Sequence, residues 1–303
     1  MTAVGKPNRP IEAVLWMVAS GLSFVGVNWI VRYLGPVLPS AQSAFLRFFF
    51  GLVFLLPVLP RLWRAGLPQG TGTIFVWRGM AHTAAVLFWF YAMARIPVAH
   101  ATAIGYLSPV LVLVASALLM GEGMTSRRLV AVGVAFCGAL VVLRPGGQEI
   151  SLGHFAQIGA ATFFAISYLF AKRLTGIAPA LLIVAMMSVT VTLGLAPIAW
   201  VVWVPVTASQ MAWLAVVAVL ATLGHYLMTR AFAAAPLAVT QPVVFLQLIW
   251  ASTLGALQFN EPVDIWVLIG GAMIVGAISW SAWSDRRNDP SQDVQGPLSN
   301  SQT

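Results

Sequence analysis

The fold is decided by a stretch that reads RGMAHTAAVLFWFY, from Arg78 to Tyr91. The stretch lies inside an apolar run over residues 72–94, yet it carries an arginine, a histidine, a tryptophan and a tyrosine. On an α-helix, Arg78, His82 and Trp89 follow one another along a single stripe. Lipid does not solvate such a stripe, so the stripe must face protein or water. We therefore predict a membrane-spanning helix that forms one wall of a polar cavity.

The composition of the whole chain is that of a membrane protein. Of its 303 residues, 60% are hydrophobic and 8% are charged, whereas a soluble domain is about 25% charged. The mean hydropathy is +0.90. Because a spanning helix needs about 20 residues, the apolar runs predict an all-α membrane protein with ten transmembrane helices. The predicted spans cover residues 11–31, 40–60, 72–94, 98–120, 129–143, 153–171, 178–200, 209–229, 236–258 and 263–283.

The positively charged residues indicate the orientation of these helices. Loops that stay in the cytoplasm are enriched in lysine and arginine. With the N-terminus in the cytoplasm, eleven of the sixteen lysines and arginines fall on the cytoplasmic side, and Arg32, Arg95 and Arg144 fall on the other. Both termini are therefore expected in the cytoplasm. The run over residues 11–31 is expected to be retained as the first helix rather than cleaved.

An internal repeat relates the two halves of the chain. A shift of 139 residues places Pro97 on Pro236 and Glu122 on Glu261. A repeat of five helices crosses the membrane an odd number of times, so its second copy is inverted relative to the first. Inverted repeats are typical of secondary transporters, whose substrate site lies near the midplane between the halves.

This repeat gives the expected organisation of the chain. The predicted units are a cytoplasmic N-terminal segment over residues 1–10, a first five-helix repeat over 11–143, an inter-repeat loop over 144–152, a second repeat over 153–283 and a disordered cytoplasmic tail over 284–303. Disorder is predicted for the tail because it is polar and rich in Pro, Asn, Gln, Ser and Asp.

Short motifs in both halves resemble those of a known family. The first half contains FLRF at residues 45–48, YLSPV at 106–110 and MGE at 120–122, and the second half contains FNE at 259–261. Glycine-rich segments follow at residues 132–138 and 270–276. Over residues 11–283, the chain resembles the ten-helix EamA-type members of the drug/metabolite transporter superfamily. It departs from them in having Asn260 where glycine is usual, and in lacking a second-half counterpart of Arg47.

The resemblance implies a carrier in a bacterial inner membrane that works by alternating access. It also implies a central cavity lined mainly by the first, third, fourth, sixth, eighth and ninth helices. The substrate stays open, because the family carries amino acids, drugs, nucleosides, cofactors and metallophores.

Acidic residues are absent from the middle of every predicted span. A proton-coupled carrier usually buries a carboxylate there, so any proton coupling is expected to involve histidine, with His82 nearest the middle of a span. Without coupling, the carrier is a facilitator or an exchanger. The chain also lacks the paired intramembrane aspartates and the HExxH motif of membrane proteases. We predict no cofactor and no metal site, and no nucleic-acid partner because the basic residues are scattered.

Twelve polar or aromatic side chains are predicted to bind the substrate. They are His82, Trp89, Arg78, Tyr91, Tyr106, Thr222, His225, Tyr226, Gln241, Gln247, Asn28 and Tyr168. His82 either lines the cavity or is bonded to a neighbouring helix. Arg78 either faces the cavity, where it favours a carboxylate, or extends toward the cytoplasmic interface. Gln241 and Gln247 fit hydrogen bonds between helices equally well.

Five residues are predicted to have structural or gating roles. They are Arg47, Glu122, Glu261, Pro97 and Pro236. Arg47 is expected to bond helix-end carbonyls or Glu261 in preference to substrate. Both glutamates are expected to cap neighbouring helices, and the prolines to kink the fourth and ninth helices so that their ends act as gates. The glycine-rich segments favour close packing of the fifth and tenth helices, or a homodimer face.

The combined prediction is a secondary transporter without enzymatic activity. A weakly basic, aromatic cavity suits a small zwitterionic or anionic organic metabolite, such as an amino-acid-like compound or a metallophore. Export is preferred from the family resemblance, since the residues give no direction. The main alternative is the uptake of a cofactor-like or nucleoside-like metabolite. A membrane enzyme or a non-transporting scaffold is the alternative from another class, and no catalytic cluster favours it.

Overall fold

The secondary structure is helical, without strands, in the part of the chain that the structure describes. This computed structural model describes residues 9–57, 60, 64, 66–119, 126–144, 149–235, 240, 243–244 and 246–287. The helices are α1 (Pro10–Leu34), α2 (Ser40–Leu55), α3 (Gly72–Met93), α4 (Val98–Gly105), α5 (Leu107–Leu119), α6 (Ser126–Leu143), α7 (Leu152–Leu174), α8 (Ala180–Val201), α9 (Ala208–Ala234), α10 (Leu246–Phe259) and α11 (Ile265–Arg287). The predicted all-α fold is confirmed for these residues.

The outer surface of the bundle suits a lipid environment. By length and composition, α1, α7, α8 and α9 are apolar enough to cross a membrane. Large apolar side chains point outward, and Leu193 and Leu257 are 68% and 74% exposed. An extended apolar surface of this kind is unfavourable in water and favourable against lipid.

The fourth predicted span is divided into two helices. α4 ends at Gly105 and α5 begins at Leu107, so Tyr106 lies in a break between them. Pro109 explains the break, because proline has no N–H for the carbonyl of Gly105 and its ring clashes with that carbonyl. Pro97 was expected to kink this span, but it stands at the N-cap of α4 and bends no helix.

The ninth predicted span is interrupted at the corresponding place. Thr240 is helical, Val243 and Val244 form a 3-10 turn, and α10 begins at Leu246. When the two halves are aligned with the shift of 139 residues, Tyr106 corresponds to the position directly after this turn. The Tyr106 hydroxyl donates a hydrogen bond to the Val244 carbonyl oxygen at 2.9 Å. The two interruptions are therefore in direct contact.

Helices of the first half pack mainly against helices of the second half. α1 packs against α9, and α3 packs against α7. α1 and α7 are the first helices of the two halves, and α3 and α9 are equivalent in the same way. Exchange of the two halves therefore converts one pair into the other. The pairs of α2 with α8, α4 with α10, and α6 with α11 each join equivalent spans. The set of helix pairs is therefore unchanged when the two halves are exchanged.

Charged side chains collect at the two ends of the bundle. At one end, Arg32 pairs with Glu261 at 2.8 Å. At the other end, Arg230 Nη2 lies 3.7 Å from Glu12 Oε1. The orientation predicted from the sequence places the first end outside the cell and the second in the cytoplasm, and it stays a prediction.

Two glycines bring α6 and α11 into close contact. A Cβ atom added to Gly138 would lie 2.7 Å from the Gly270 carbonyl oxygen, and one added to Gly270 would clash with the Gly138 carbonyl. Gly133 and Gly276 are exposed, and an added Cβ atom would meet nothing within 4 Å. Gly138 and Gly270 thus allow close packing of α6 against α11 within one chain. A homodimer face, the other role considered for the glycine-rich segments, stays a prediction.

Several boundaries differ from the predicted spans. α11 continues to Arg287, so the tail predicted to be disordered from residue 284 is helical over its first four residues. The helix extends because no proline or glycine occurs between Gly276 and Pro290. The predictions for Glu122, Pro236 and Gln241, and for residues 1–8 and 288–303, lie outside the described residues.

Candidate functional site

A central cavity lies between the two halves of the bundle. Its volume is about 170 Å³, whereas one water molecule needs roughly 10–15 Å³, so it has room for a small organic molecule. Residues of α1, α2, α3, α4, α5, α7, α9 and α10 form its wall. All six spans implied by the family resemblance contribute, and α2 is an addition.

Half of the predicted substrate-binding residues line this cavity. They are Asn28, Trp89, Tyr106, Tyr168, His225 and Gln247. Each comes from a different predicted span, so residues far apart in the sequence meet around one space. This convergence makes the cavity the candidate site.

Aromatic rings form much of the cavity wall. Phe164 and Tyr168 stack with ring centroids 5.8 Å apart and 11° between the ring planes. Tyr168 meets Phe232 edge-on at 6.3 Å, and Phe24 meets His225 edge-on at 5.0 Å. These contacts hold the rings in fixed orientations, which suits a flat ligand.

Polar side chains in the wall mostly link helices. Ser20 Oγ donates to the Gly224 carbonyl and Ser108 Oγ donates to the Ala161 carbonyl, each at 2.9 Å. In contrast, the buried Oε1 atom of Gln157 has no hydrogen-bond partner among the described residues. An unsatisfied buried oxygen is a free acceptor for a ligand.

His82 lies behind the cavity wall. Its Nδ1 atom is 3.0 Å from Ser167 Oγ of α7, and its ring centroid is 5.2 Å from those of His225 and Phe164. α7 packs directly on this face of α3, so the histidine bonds to a helix and stands one layer back from the ligand space. His82 therefore contacts a neighbouring helix and is not part of the cavity wall.

Arg78 is also turned away from the cavity. Its Nη1 atom donates to the Ile183 carbonyl oxygen at 2.7 Å, and its Nη2 atom lies 3.3 Å from Met187 Sδ. Both partners belong to α8, and Arg78 is 1% exposed. Arg78 was predicted to face the cavity or to extend toward the cytoplasmic interface. Both predictions are wrong, because the Arg78 guanidinium finds its acceptors on α8 inside the bundle.

Three further predicted binding residues lie on other helix faces. Tyr91 stacks under the Arg95 guanidinium at 3.7 Å, and the Tyr226 hydroxyl accepts from Arg230 at 3.2 Å. Thr222 packs against α2. Since neighbouring helical positions differ by about 100°, His225 faces the cavity while Tyr226 does not.

Arg47 lines the cavity, although a structural role was predicted for it. Its guanidinium lies over the Phe48 ring, 3.7 Å from the centroid. The predicted bond to Glu261 is wrong, because Glu261 pairs with Arg32 at the end of α1. Arg47 is thus placed with the candidate site.

A second polar cluster lies at the end of the bundle that contains Glu261. Glu261 Oε2 accepts from the Val98 N–H at 3.1 Å and so caps α4. Asp264 pairs with Arg144 and lies 3.6 Å from His100 Nε2. In the described part of the chain, no three His, Cys, Asp or Glu side chains come close enough to hold a metal ion. The cluster therefore ties helix ends together.

Comparison with known proteins identifies the family. The profile of the EamA-like transporter family matches residues 11–144 and again residues 151–283. The chain belongs to the EamA-like transporter family. It is a multi-pass membrane protein and a transporter of small molecules, as the sequence predicted, and the two matches coincide with the two halves of the helix bundle.

Relatives of this EamA-like transporter carry different small molecules. The chain is 30% identical to a riboflavin transporter of Rhizobium johnstonii, over 90% of this chain and 91% of the relative. It is 24% identical to an S-adenosylmethionine uptake transporter of Rickettsia prowazekii, over 92% and 95% of the two chains. It is 27% identical to a pseudopaline exporter of Pseudomonas aeruginosa, over 88% and 94%. The family thus includes importers and exporters.

Sequence reasoning missed several residues of the cavity wall. They are Ser20 and Phe24 on α1, and Gln157 and Phe164 on α7. Ser20 and Phe24 lie on the same helical stripe as Asn28, at intervals of four residues. Gln157 and Phe164 lie on the same stripe as Tyr168, at intervals of seven and four residues. This helical spacing would have identified the four missed residues once Asn28 and Tyr168 had been placed in the cavity wall.

Proposed function

We propose that this EamA-like transporter is a secondary carrier that takes a planar aromatic metabolite, such as a flavin, into the cell. The observation that carries the proposal is the aromatic cavity wall with adjacent amides, where Trp89 and Tyr168 lie with Gln157 and Gln247. A flat heteroaromatic ring stacks on such rings, and its polar edge bonds the amides. The similarity to a riboflavin transporter supports the same substrate class.

The proposed arrangement is ten spans in the bacterial inner membrane, with both termini in the cytoplasm. Two inverted repeats over residues 11–143 and 153–283 rock about the cavity to give alternating access. Two observations support this arrangement. The set of helix pairs is unchanged when the two halves are exchanged, and ion pairs lie at both ends of the bundle. The breaks at Tyr106 and Val244 border the cavity, so movement there changes access to the ligand.

A second candidate is the export of a small zwitterionic or anionic metabolite, such as an amino-acid-like compound or a metallophore. Arg47 in the cavity wall favours this candidate, because a guanidinium binds carboxylates well. The similarity to a pseudopaline exporter also supports it. The direction of transport separates the two candidates.

Uptake of riboflavin into proteoliposomes tests the proposal. Trp89→Ala removes a ring of the cavity wall, while Trp77→Ala removes a 55% exposed ring from the outer surface of the same helix. We expect Trp89→Ala to raise the KM for riboflavin about tenfold, since a lost stacking contact costs roughly 1–3 kcal/mol. Trp77→Ala should leave KM unchanged.

The outcome that contradicts the proposal is a protein that moves neither riboflavin nor another planar metabolite. Equal effects of the two tryptophan substitutions would remove Trp89 from the site. Accumulation of substrate in inverted membrane vesicles, without accumulation in right-side-out vesicles, would favour the export candidate.

A further inference from the structure

Arg47 is a buried cation with no hydrogen-bonded or ionic partner among the residues that the structure describes. Its side chain is 6% exposed and borders the central cavity. The guanidinium lies over the ring of Phe48, which blocks one of its faces. Within the described part of the chain it forms no hydrogen bond and no ion pair. Its N–H donors therefore remain available on the cavity side.

Other buried or partly buried arginines are bound by protein groups. Arg78 is held by the Ile183 carbonyl oxygen at 2.7 Å. Arg32 and Arg144 form ion pairs with carboxylates at the end of the bundle. Arg47 differs from all three, so its position is not explained by the packing of the helices.

The described cavity wall offers no carboxylate to neutralise Arg47. Water that enters the cavity can solvate the guanidinium, but a ligand that fills the cavity displaces that water. The loss of solvation is costly unless the ligand itself supplies an acceptor. A carboxylate or phosphate is the best replacement, because it accepts two parallel hydrogen bonds from one guanidinium.

We propose that Arg47 binds an anionic group of the substrate, so that the carrier prefers an aromatic carboxylate or phosphate to a neutral planar compound such as riboflavin. The inference rests on the proposed function, because the aromatic wall holds the ring while Arg47 holds the anion. It makes Arg47 the residue that determines the charge of the transported molecule.

The test compares ligands that differ in charge and little in shape. The purified full-length carrier is titrated with riboflavin and flavin mononucleotide for the phosphate, and with indole-3-acetamide and indole-3-acetate for the carboxylate. Glutarate serves as an anion without a ring. The variants are Arg47→Met, Arg47→Lys and the control Arg95→Met, whose guanidinium stacks on Tyr91 away from the cavity.

We expect the wild type to bind at least one aromatic anion about tenfold more tightly than its neutral counterpart. Arg47→Met should abolish this preference, Arg47→Lys should retain part of it, and Arg95→Met should retain all of it. The ligand-free Arg47→Met protein should melt no lower than the wild type, because the loss of an unpaired buried charge is neutral or stabilising. A preference for flavin mononucleotide over riboflavin would indicate a phosphate, and a preference for indole-3-acetate over indole-3-acetamide would indicate a carboxylate.

Equal affinities within both ligand pairs would overturn the inference and leave a planar substrate intact. A lower melting temperature of ligand-free Arg47→Met with an unchanged anion preference would also overturn it, since Arg47 would then be structural. Failure of the wild type to bind any of the anions would do the same. Arg47-dependent binding of glutarate without binding of any aromatic compound would support the anion site and contradict the proposed aromatic substrate.

Discussion

The backbone at Asn260 has a positive φ of 50° in the loop between α10 and α11. Few side chains tolerate this conformation, and asparagine is among them, while glycine adopts it without steric cost. Asn260 therefore preserves the loop at a position where the family usually has glycine. The loop is important because the next residue, Glu261, caps α4 and pairs with Arg32.

Substitutions of Asn260 should separate backbone strain from side-chain contacts. We expect Asn260→Ala to destabilise the protein by about 1–2 kcal/mol, because the alanine side chain disfavours the left-handed conformation more than that of asparagine does. Asn260→Gly should leave the melting temperature unchanged or slightly raised. Thermal unfolding of the purified variants measures both effects, and equal stability of the two variants would contradict the strain argument.

Two kinds of helix contact organise the bundle. Where α6 meets α11, glycines let the backbones approach closely, and this contact joins equivalent spans of the two halves. Where the fourth and ninth spans meet, both helices are interrupted and the Tyr106 hydroxyl bonds the Val244 carbonyl. The first contact is close-packed, while the second borders the cavity.

The glycines of α6 provide a matched pair for testing the close contact. Gly138→Ala should lower the melting temperature, because the new Cβ atom would lie 2.7 Å from the Gly270 carbonyl oxygen. Gly133→Ala should raise it slightly, because alanine favours a helix by roughly 0.5–1 kcal/mol and the site is open. Differential scanning fluorimetry compares the two, and a loss of stability in both variants would show that the cause is not the α6–α11 contact.

At the scale of the molecule, the described ion pairs lie at the two ends of the helix bundle. The cluster around Glu261 and Asp264 joins the ends of α1, α4, α6 and α11. The opposite end joins α1 to α9 through Glu12 and Arg230. Each cluster contains residues of both halves, so each must rearrange if the halves rock past each other.

The orientation of the bundle can be measured with single cysteines. In a Cys137→Ser background, Ile177→Cys and Val204→Cys place exposed thiols at opposite ends of α8. We expect a membrane-impermeant maleimide to label Val204→Cys in intact cells, and Ile177→Cys only after permeabilisation. The reverse pattern would invert the topology predicted from the positive charges.

The sequence by itself determined the membrane class, the all-helical fold and the two-repeat organisation that the family profile matches. These properties depend on hydrophobicity and its interruption along the chain, which are local and readable. It also identified six residues that line the cavity, because polar and aromatic side chains on apolar helices rarely face lipid. The break at Tyr106 was not predicted, although Pro109 is a signal for it, because proline removes the hydrogen bond that α4 needs in order to continue.

The tertiary structure alone decided which polar side chains border the cavity. A helical stripe shows which residues share a face, but it does not show which neighbour that face meets. Arg47 and Arg78 both lie inside apolar helices, yet α8 supplies a carbonyl to Arg78 and no described group neutralises Arg47. His82 and His225 likewise lie on different sides of the cavity wall, because α7 covers the first and the second faces the open space.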